Sequence, residues 1–129
     1  MDERPVRVAL IEDNAVFREA LELLLELRPE IEVVGTHGDG REVVALCERT
    51  RPDVVLVDYR LPGLDGVQVT SAVRAAFSDV AVLCLTASVT PREEEALQQA
   101  GAVGCVMKGA SLDEIVEAIF RAAGRAEPA

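Results

Sequence analysis

The run Val54-Val55-Leu56-Val57 sets four β-formers side by side without a polar interruption, and it stops on Asp58, shortly before the turn Pro62-Gly63. Apolar character that continuous describes a strand buried on both faces, as in the middle of a parallel sheet. A chain with such a strand must cover two faces of its sheet, and the other segments supply the covers in alternation. Val6 to Ile11 reads as a first strand, followed by a helix that Asn14 caps. Phe17, Leu21, Leu24 and Leu25 give that helix its apolar face, and Pro29 ends it. Glu32 to Thr36 is a second strand, and the loop His37-Gly38-Asp39-Gly40 leads to a helix over 41–50 with Val43, Val44 and Cys47 on one side. A turn over 63–66 and a helix over 67–76 follow Asp58, and Val80 to Leu85 is a fourth strand, ending at Thr86. The helix from Pro91 to Ala100 has Pro at its start and acids in its first turn. Its apolar content is slight, essentially Ala96, Leu97 and Ala100, which marks it as the candidate mobile element. Gly104 to Met107 forms the last strand, ending at Lys108. Ser111 and Glu114 make a capping box for a final helix whose stripe is Leu112, Ile115, Val116 and Ile119. Five strand–helix units in strict alternation imply an α/β fold, a parallel sheet with helices on both faces.

A length of 129 residues suits one domain. With no Trp, one Tyr and three Phe, the core must be aliphatic. The net charge of −10 tells against nucleic acid or anionic lipid held by this domain's own surface. Cys47, Cys84 and Cys105 sit in apolar runs without metal-ligand spacing, and read as reduced core residues. His37, the only histidine, reads as a solvated loop residue. No apolar stretch approaches the roughly 18 residues of a membrane span, and the N-terminus lacks a signal-peptide pattern. The expectation is a soluble, cytoplasmic protein.

Four strands end on polar groups: Glu12-Asp13, Asp58, Thr86 and Lys108. Parallel topology collects all carboxyl ends along one edge, where open α/β sheets keep their ligand sites. Each group alone has an ordinary explanation as a loop cap or a snorkelling side chain. Four together on four strands do not. Crowded carboxylates repel, and a hard cation such as Mg²⁺ relieves that repulsion through oxygen ligands. Lys108 adds a point charge suited to a phosphoryl oxygen, and Thr86 a hydroxyl that could donate to one. An oxygen nucleophile, a Lewis acid and a cation are the parts of phosphoryl transfer, which points to an aspartyl-phosphate site with Asp58 as nucleophile.

These residues stand in the segments VRVALIEDNAVFREAL, LVDYRLPGLDG, LCLTAS and GAVGCVMKGAS, and with them the chain resembles the receiver domain of two-component response regulators, most of all those of the LuxR type. The resemblance covers nearly the whole length and implies a flavodoxin-like fold of strand order 2-1-3-4-5. It implies that Asp13, Asp58 and the backbone carbonyl of Arg60 ligate Mg²⁺, with Glu12 acting mainly through water. It further implies that Asp58 is phosphorylated by a sensor histidine kinase, that Lys108 and Thr86 bind the phosphoryl group, and that Thr86 moves to carry the signal. Residues 1–124 would be the receiver domain, and 125–129 a tail or the start of a linker to a DNA-binding output domain that these 129 residues do not contain. A homodimer on phosphorylation, no membrane association and no enzymatic turnover belong to the same expectation. Two departures stand out. Cys105 replaces the aromatic residue that receivers commonly carry on the last strand, so an aromatic switch is not expected. Gly109 replaces the frequent Pro after Lys108, so no cis peptide is expected there.

Three rivals remain. A flavin-binding module would want a Gly- and hydroxyl-rich phosphate cradle where Glu12 and Asp13 stand. A phosphatase with an aspartyl nucleophile would want an acid where Arg60 stands. A stand-alone receiver or phosphorylation-independent pseudo-receiver would act by protein contact alone, and the complete acidic site argues against the second of these.

Overall fold

In the computed structural model, which describes residues 4–125, β3 (Val54–Asp58) is the central strand of a five-stranded sheet, and all of it is buried. The other strands are β1 (Val6–Ile11), β2 (Ile31–His37), β4 (Ala81–Thr86) and β5 (Gly104–Met107). All pairings are parallel and the order is β2-β1-β3-β4-β5, as expected. The helices are α1 (Ala15–Glu26), α2 (Val43–Thr50), α3 (Gly66–Ala76), α4 (Pro91–Ala100) and α5 (Leu112–Ala122).

Alternation along the strands sends side chains to two separate cores. Val8, Leu10, Val54, Leu56, Leu83 and Leu85 pack with Leu21 and Leu25 of α1 and Ile115, Val116 and Ile119 of α5. Ala9, Ile11, Val55, Val57 and Val82 pack with Val43, Leu46 and Cys47 of α2 and Val69 and Val73 of α3. Each such aliphatic side chain contributes about 1.5–3 kcal/mol on burial, so the strands between the two layers dominate the stability.

The structure departs from the sequence reading in local ways. The second helix begins with a 3₁₀ turn over Gly40–Glu42, capped by Asp39, whose side chain accepts from the Arg41 backbone N–H at 2.9 Å. Leu46 joins Val43 and Cys47 on the buried side of α2, and Val44 packs half-buried against the same cluster. Leu24 is exposed, along with Val16, Leu23 and Leu27, so the buried stripe of α1 is narrower than its composition suggests. His37 is half-buried at the end of β2, and its Nδ1 accepts from the Asp39 N–H at 3.0 Å, so it braces the loop instead of projecting from it. Cys47 and Cys84 are core residues, but Cys105 is half-exposed.

α4 buries a single side chain, Leu97. It is held mainly at its ends, by the Thr90–Glu93 capping box and by Gly101 in the left-handed region at φ 108°. Amide exchange in α4 is therefore expected to be the fastest of the five helices, at least about tenfold faster than in α5. Hydrogen–deuterium exchange read by mass spectrometry checks this, and equal protection would contradict it.

Candidate functional site

Register explains how the strand ends meet. Ile11 pairs with Val57, which brings Glu12 level with Asp58. Asp58 pairs with Leu85, so Thr86 stands one residue further out, and Thr86 pairs with Met107, so Lys108 stands one further again. The backbone continues the ladder beyond both edges: Glu12 N–H donates to His37 O at 3.0 Å, and Lys108 N–H to Thr86 O at 2.8 Å. The result is a staircase of functional groups at the point where strand order reverses between β1 and β3.

Glu12, Asp58 and Thr86 are buried, at 0 %, 6 % and 1 % exposure, whereas Asp13 is open to solvent. Carboxylate oxygens of Glu12, Asp13 and Asp58 lie within 4.8 Å of one another. Lys108 Nζ contacts both buried acids, ion-pairing with Glu12 Oε1 and reaching Asp58 Oδ2 at 3.2 Å. Burial disfavours the ammonium, but attraction from Glu12 and Asp58 outweighs it and holds the Lys108 pKa above its ordinary value. The contact with Glu12 lacks hydrogen-bond angles, and Oε1 is buried without a hydrogen-bond partner. One ammonium leaves the three carboxylates in excess, and a hard cation with oxygen preference suits them. The donor set therefore fits a divalent metal.

Asp58 Oδ1 accepts from the Arg60 N–H at 3.3 Å. The Thr86 hydroxyl donates to Ser88 O at 2.8 Å, in the loop leading to α4. Several contributors were not apparent from the sequence. Arg18 donates to the Glu12 carbonyl at 2.6 Å, the ring of Phe17 lies 4.7 Å from Lys108 Nζ, and the Asn14 N–H donates to Glu12 Oε2 at 3.1 Å. All three come from the start of α1, and the N-cap at Asn14 was the one available hint, since it turns the first helical residues back over the end of β1. Arg60 bridges to Glu93 at 3.3 Å and so ties the loop after β3 to α4. The residue after Lys108 joins through a trans bond, as expected for Gly109; no cis peptide occurs among the described residues.

Gly66 holds the loop after Asp58 in place. Its N–H donates to Tyr59 O at 2.7 Å, and a Cβ there would lie 2.9 Å from the Tyr59 Cα and 3.4 Å from the Asp58 carbonyl oxygen. Backbone cannot yield as a flexible side chain can. Gly66→Ala is expected to destabilise the fold by about 1–3 kcal/mol. Urea denaturation would check it, and an unchanged midpoint would count against this close packing.

Residues 8–120 match the family described as response regulator receiver domain. The chain is 37 % identical over 123 residues to the transcriptional regulatory protein LiaR of Bacillus subtilis, a match covering 95 % of this chain and 58 % of LiaR. It is 33 % identical over 114 residues to the response regulator UvrY of Escherichia coli, covering 88 % of this chain and 52 % of UvrY. The chain thus spans little more than half the length of these relatives. Among solved structures, the signal receiver domain of NarL from Mycobacterium tuberculosis superposes with TM-score 0.88 at 37 % identity, covering 94 % of this chain and 98 % of that one. A LuxR-family response regulator from Aurantimonas superposes with TM-score 0.87 at 32 % identity, covering 96 % of this chain and 91 % of that one.

Proposed function

The chain belongs to the response regulator receiver domain family, and from that premise we propose that it is a phosphorylation-operated switch in which Asp58 accepts a phosphoryl group from a sensor histidine kinase. The observation that carries the reading is the convergence of Lys108 on two buried carboxylates beside an exposed third one. A Lys placed only for stability would need one partner; here it neutralises a site with more acid than it can balance.

In the proposed reaction an Asp58 carboxylate oxygen attacks the phosphorus of a phosphohistidine. The O–P bond forms, the N–P bond breaks, and the electron pair leaves on the imidazole of the kinase. Asp13, Asp58 and the Arg60 carbonyl would hold Mg²⁺, with Glu12 acting through water, and the ion would supply positive charge to the transferring oxygens. Lys108 exchanges its contact with Asp58 Oδ2 for a phosphoryl oxygen and offsets the added charge of about −1.5 to −2. Thr86 turns its hydroxyl from Ser88 O toward the phosphoryl group. That turn frees the Ser88 carbonyl and so alters the loop into α4, the least anchored helix.

LiaR is a transcriptional regulatory protein and UvrY a response regulator, and the match covers 58 % and 52 % of their lengths. We assign residues 1–124 to the receiver and the remainder to a tail or the start of a linker; 1–3 and 126–129 lie outside the described residues. DNA would be bound by an output domain beyond it, with dimerisation on phosphorylation as the coupling step. No helix among the described residues is long and apolar enough to cross a membrane. Incubation with acetyl phosphate and Mg²⁺, read by intact mass and peptide mapping, is expected to add one phosphoryl group to the peptide containing Asp58, and chelation of the metal to prevent it. An unchanged mass, or phosphate on another residue, would overturn the reading.

A further inference from the structure

We propose that Cys105 and Cys84 form an oxidisable dithiol, with Cys105 as the site attacked by a hydroperoxide and Cys84 as the thiol that closes an intramolecular disulfide.

The two cysteines are direct register partners on β4 and β5. Partners in a parallel ladder send their side chains to the same face, here the face covered by α4. Their thiols therefore stand side by side between the two strands. Neighbouring strands put such Cα atoms about 4.8 Å apart, inside the roughly 4.4–6.8 Å span of disulfides. Side-by-side Cβ atoms start a little beyond the mean of about 3.8 Å found in disulfides, so closure needs a small shift of one strand. β5 can provide it, because it is an edge strand paired only with β4. A bond closed in this way is readily reduced again, as reversible disulfides are.

Access separates the thiols. Cys84 is fully buried, while Cys105 lines a cleft of about 20 Å³ with Glu94, Leu97, Gln98 and Ala102. That volume holds a molecule little larger than water, which describes a peroxide. Their proximity also divides their acidity. It raises Cys84, with burial adding to the effect, and lowers Cys105 against its own burial. Cys47, buried in the core, has its thiol pushed up to about 11 by burial and serves as an internal control.

The chemistry balances with a hydroperoxide as oxidant. The Cys105 sulfur attacks one peroxide oxygen, the O–O bond breaks, and the leaving oxygen takes up the Cys105 proton, which leaves a sulfenic acid. The Cys84 sulfur then attacks the Cys105 sulfur. The S–O bond breaks, and hydroxide leaves with the Cys84 proton as water. Two thiols lose two electrons and the peroxide is reduced. The bond would join β4 and β5 directly below Thr86 and Lys108, which gives it a route to the phosphoryl site on the reading above.

The test uses the native chain treated with hydrogen peroxide, then alkylated and mapped by mass spectrometry. Expected are the loss of two hydrogens, a linked pair of peptides containing Cys84 and Cys105, and reversal by dithiothreitol. Cys105 should also be alkylated at least about tenfold faster than Cys47 in the reduced protein. In Cys84→Ala, oxidation should stop at a sulfenic acid on Cys105 that dimedone traps. Equal reactivity of Cys47 and Cys105, bonds only between separate chains, or no trapped sulfenic acid would overturn the proposal. These readouts are thiol masses, so they stand whether or not Asp58 accepts phosphate.

Discussion

Asp58→Asn is expected to abolish phosphoryl uptake from acetyl phosphate and to leave the metal-free fold slightly more stable. The first effect follows because an amide offers no carboxylate oxygen to form an acyl phosphate. The second comes from the charges. Glu12 and Asp58 are both buried and share one ammonium, and Glu12 Oε1 has no hydrogen bond. Removing one negative charge leaves Lys108 paired with Glu12 and relieves the repulsion between the acids. A gain of about 1–2 kcal/mol is expected without metal, since desolvated like charges cost more than one partly open ion pair contributes. Stabilisation by added Mg²⁺ should shrink in the same variant, because one ligand is lost. Intact mass reads the first effect and chemical denaturation with and without Mg²⁺ the second. A phosphorylated Asp58→Asn protein would contradict the assignment, and a less stable one would contradict the charge argument.

The sequence carries the architecture because both of its strongest signals are local. The Val54–Val57 run and the helix stripes depend on neighbours a few residues away, and they place every strand and helix correctly to within a few residues. Four strand ends identify the site edge for the same reason. What stays hidden depends on distant pairings. Nothing in the first strand says that Ile11 will face Val57, yet that register is what sets Glu12 beside Asp58. Arg18, Phe17 and Glu93 enter the site through helix phase and loop path, which no spacing rule fixes. The direction of the Thr86 hydroxyl is a rotamer choice decided by the Ser88 carbonyl. Cys105 reads as core because its run is apolar, but it lies on an edge strand beneath a helix with one buried side chain, so it stays half-open. Burial follows from what covers a residue as well as from its own hydrophobicity.

Lys108→Ala turns the same charge balance around. The variant leaves Glu12 and Asp58 buried with no counter-charge, and it removes the cation lying near the ring of Phe17. Breaking a fully enclosed pair costs about 3–5 kcal/mol. Lys108 keeps one side open to water, with 21 % of its side chain exposed, so a loss of about 1–3 kcal/mol is expected. The pH dependence gives an independent check. A raised lysine pKa means the folded state holds its proton more tightly than the unfolded chain does. Its contribution is therefore complete below the ordinary value of 10.5 and fades as pH rises through the higher folded value. The stability gap between wild type and Lys108→Ala should stay constant up to that pH and narrow above it. Mg²⁺ should narrow the gap at neutral pH as well, because a divalent ion at the three acids takes over the neutralising role. Denaturation midpoints across pH, with and without Mg²⁺, read both trends. A gap that widens at alkaline pH, or one that Mg²⁺ leaves untouched, would mean that Lys108 stabilises the fold by packing and not by holding two buried acids together.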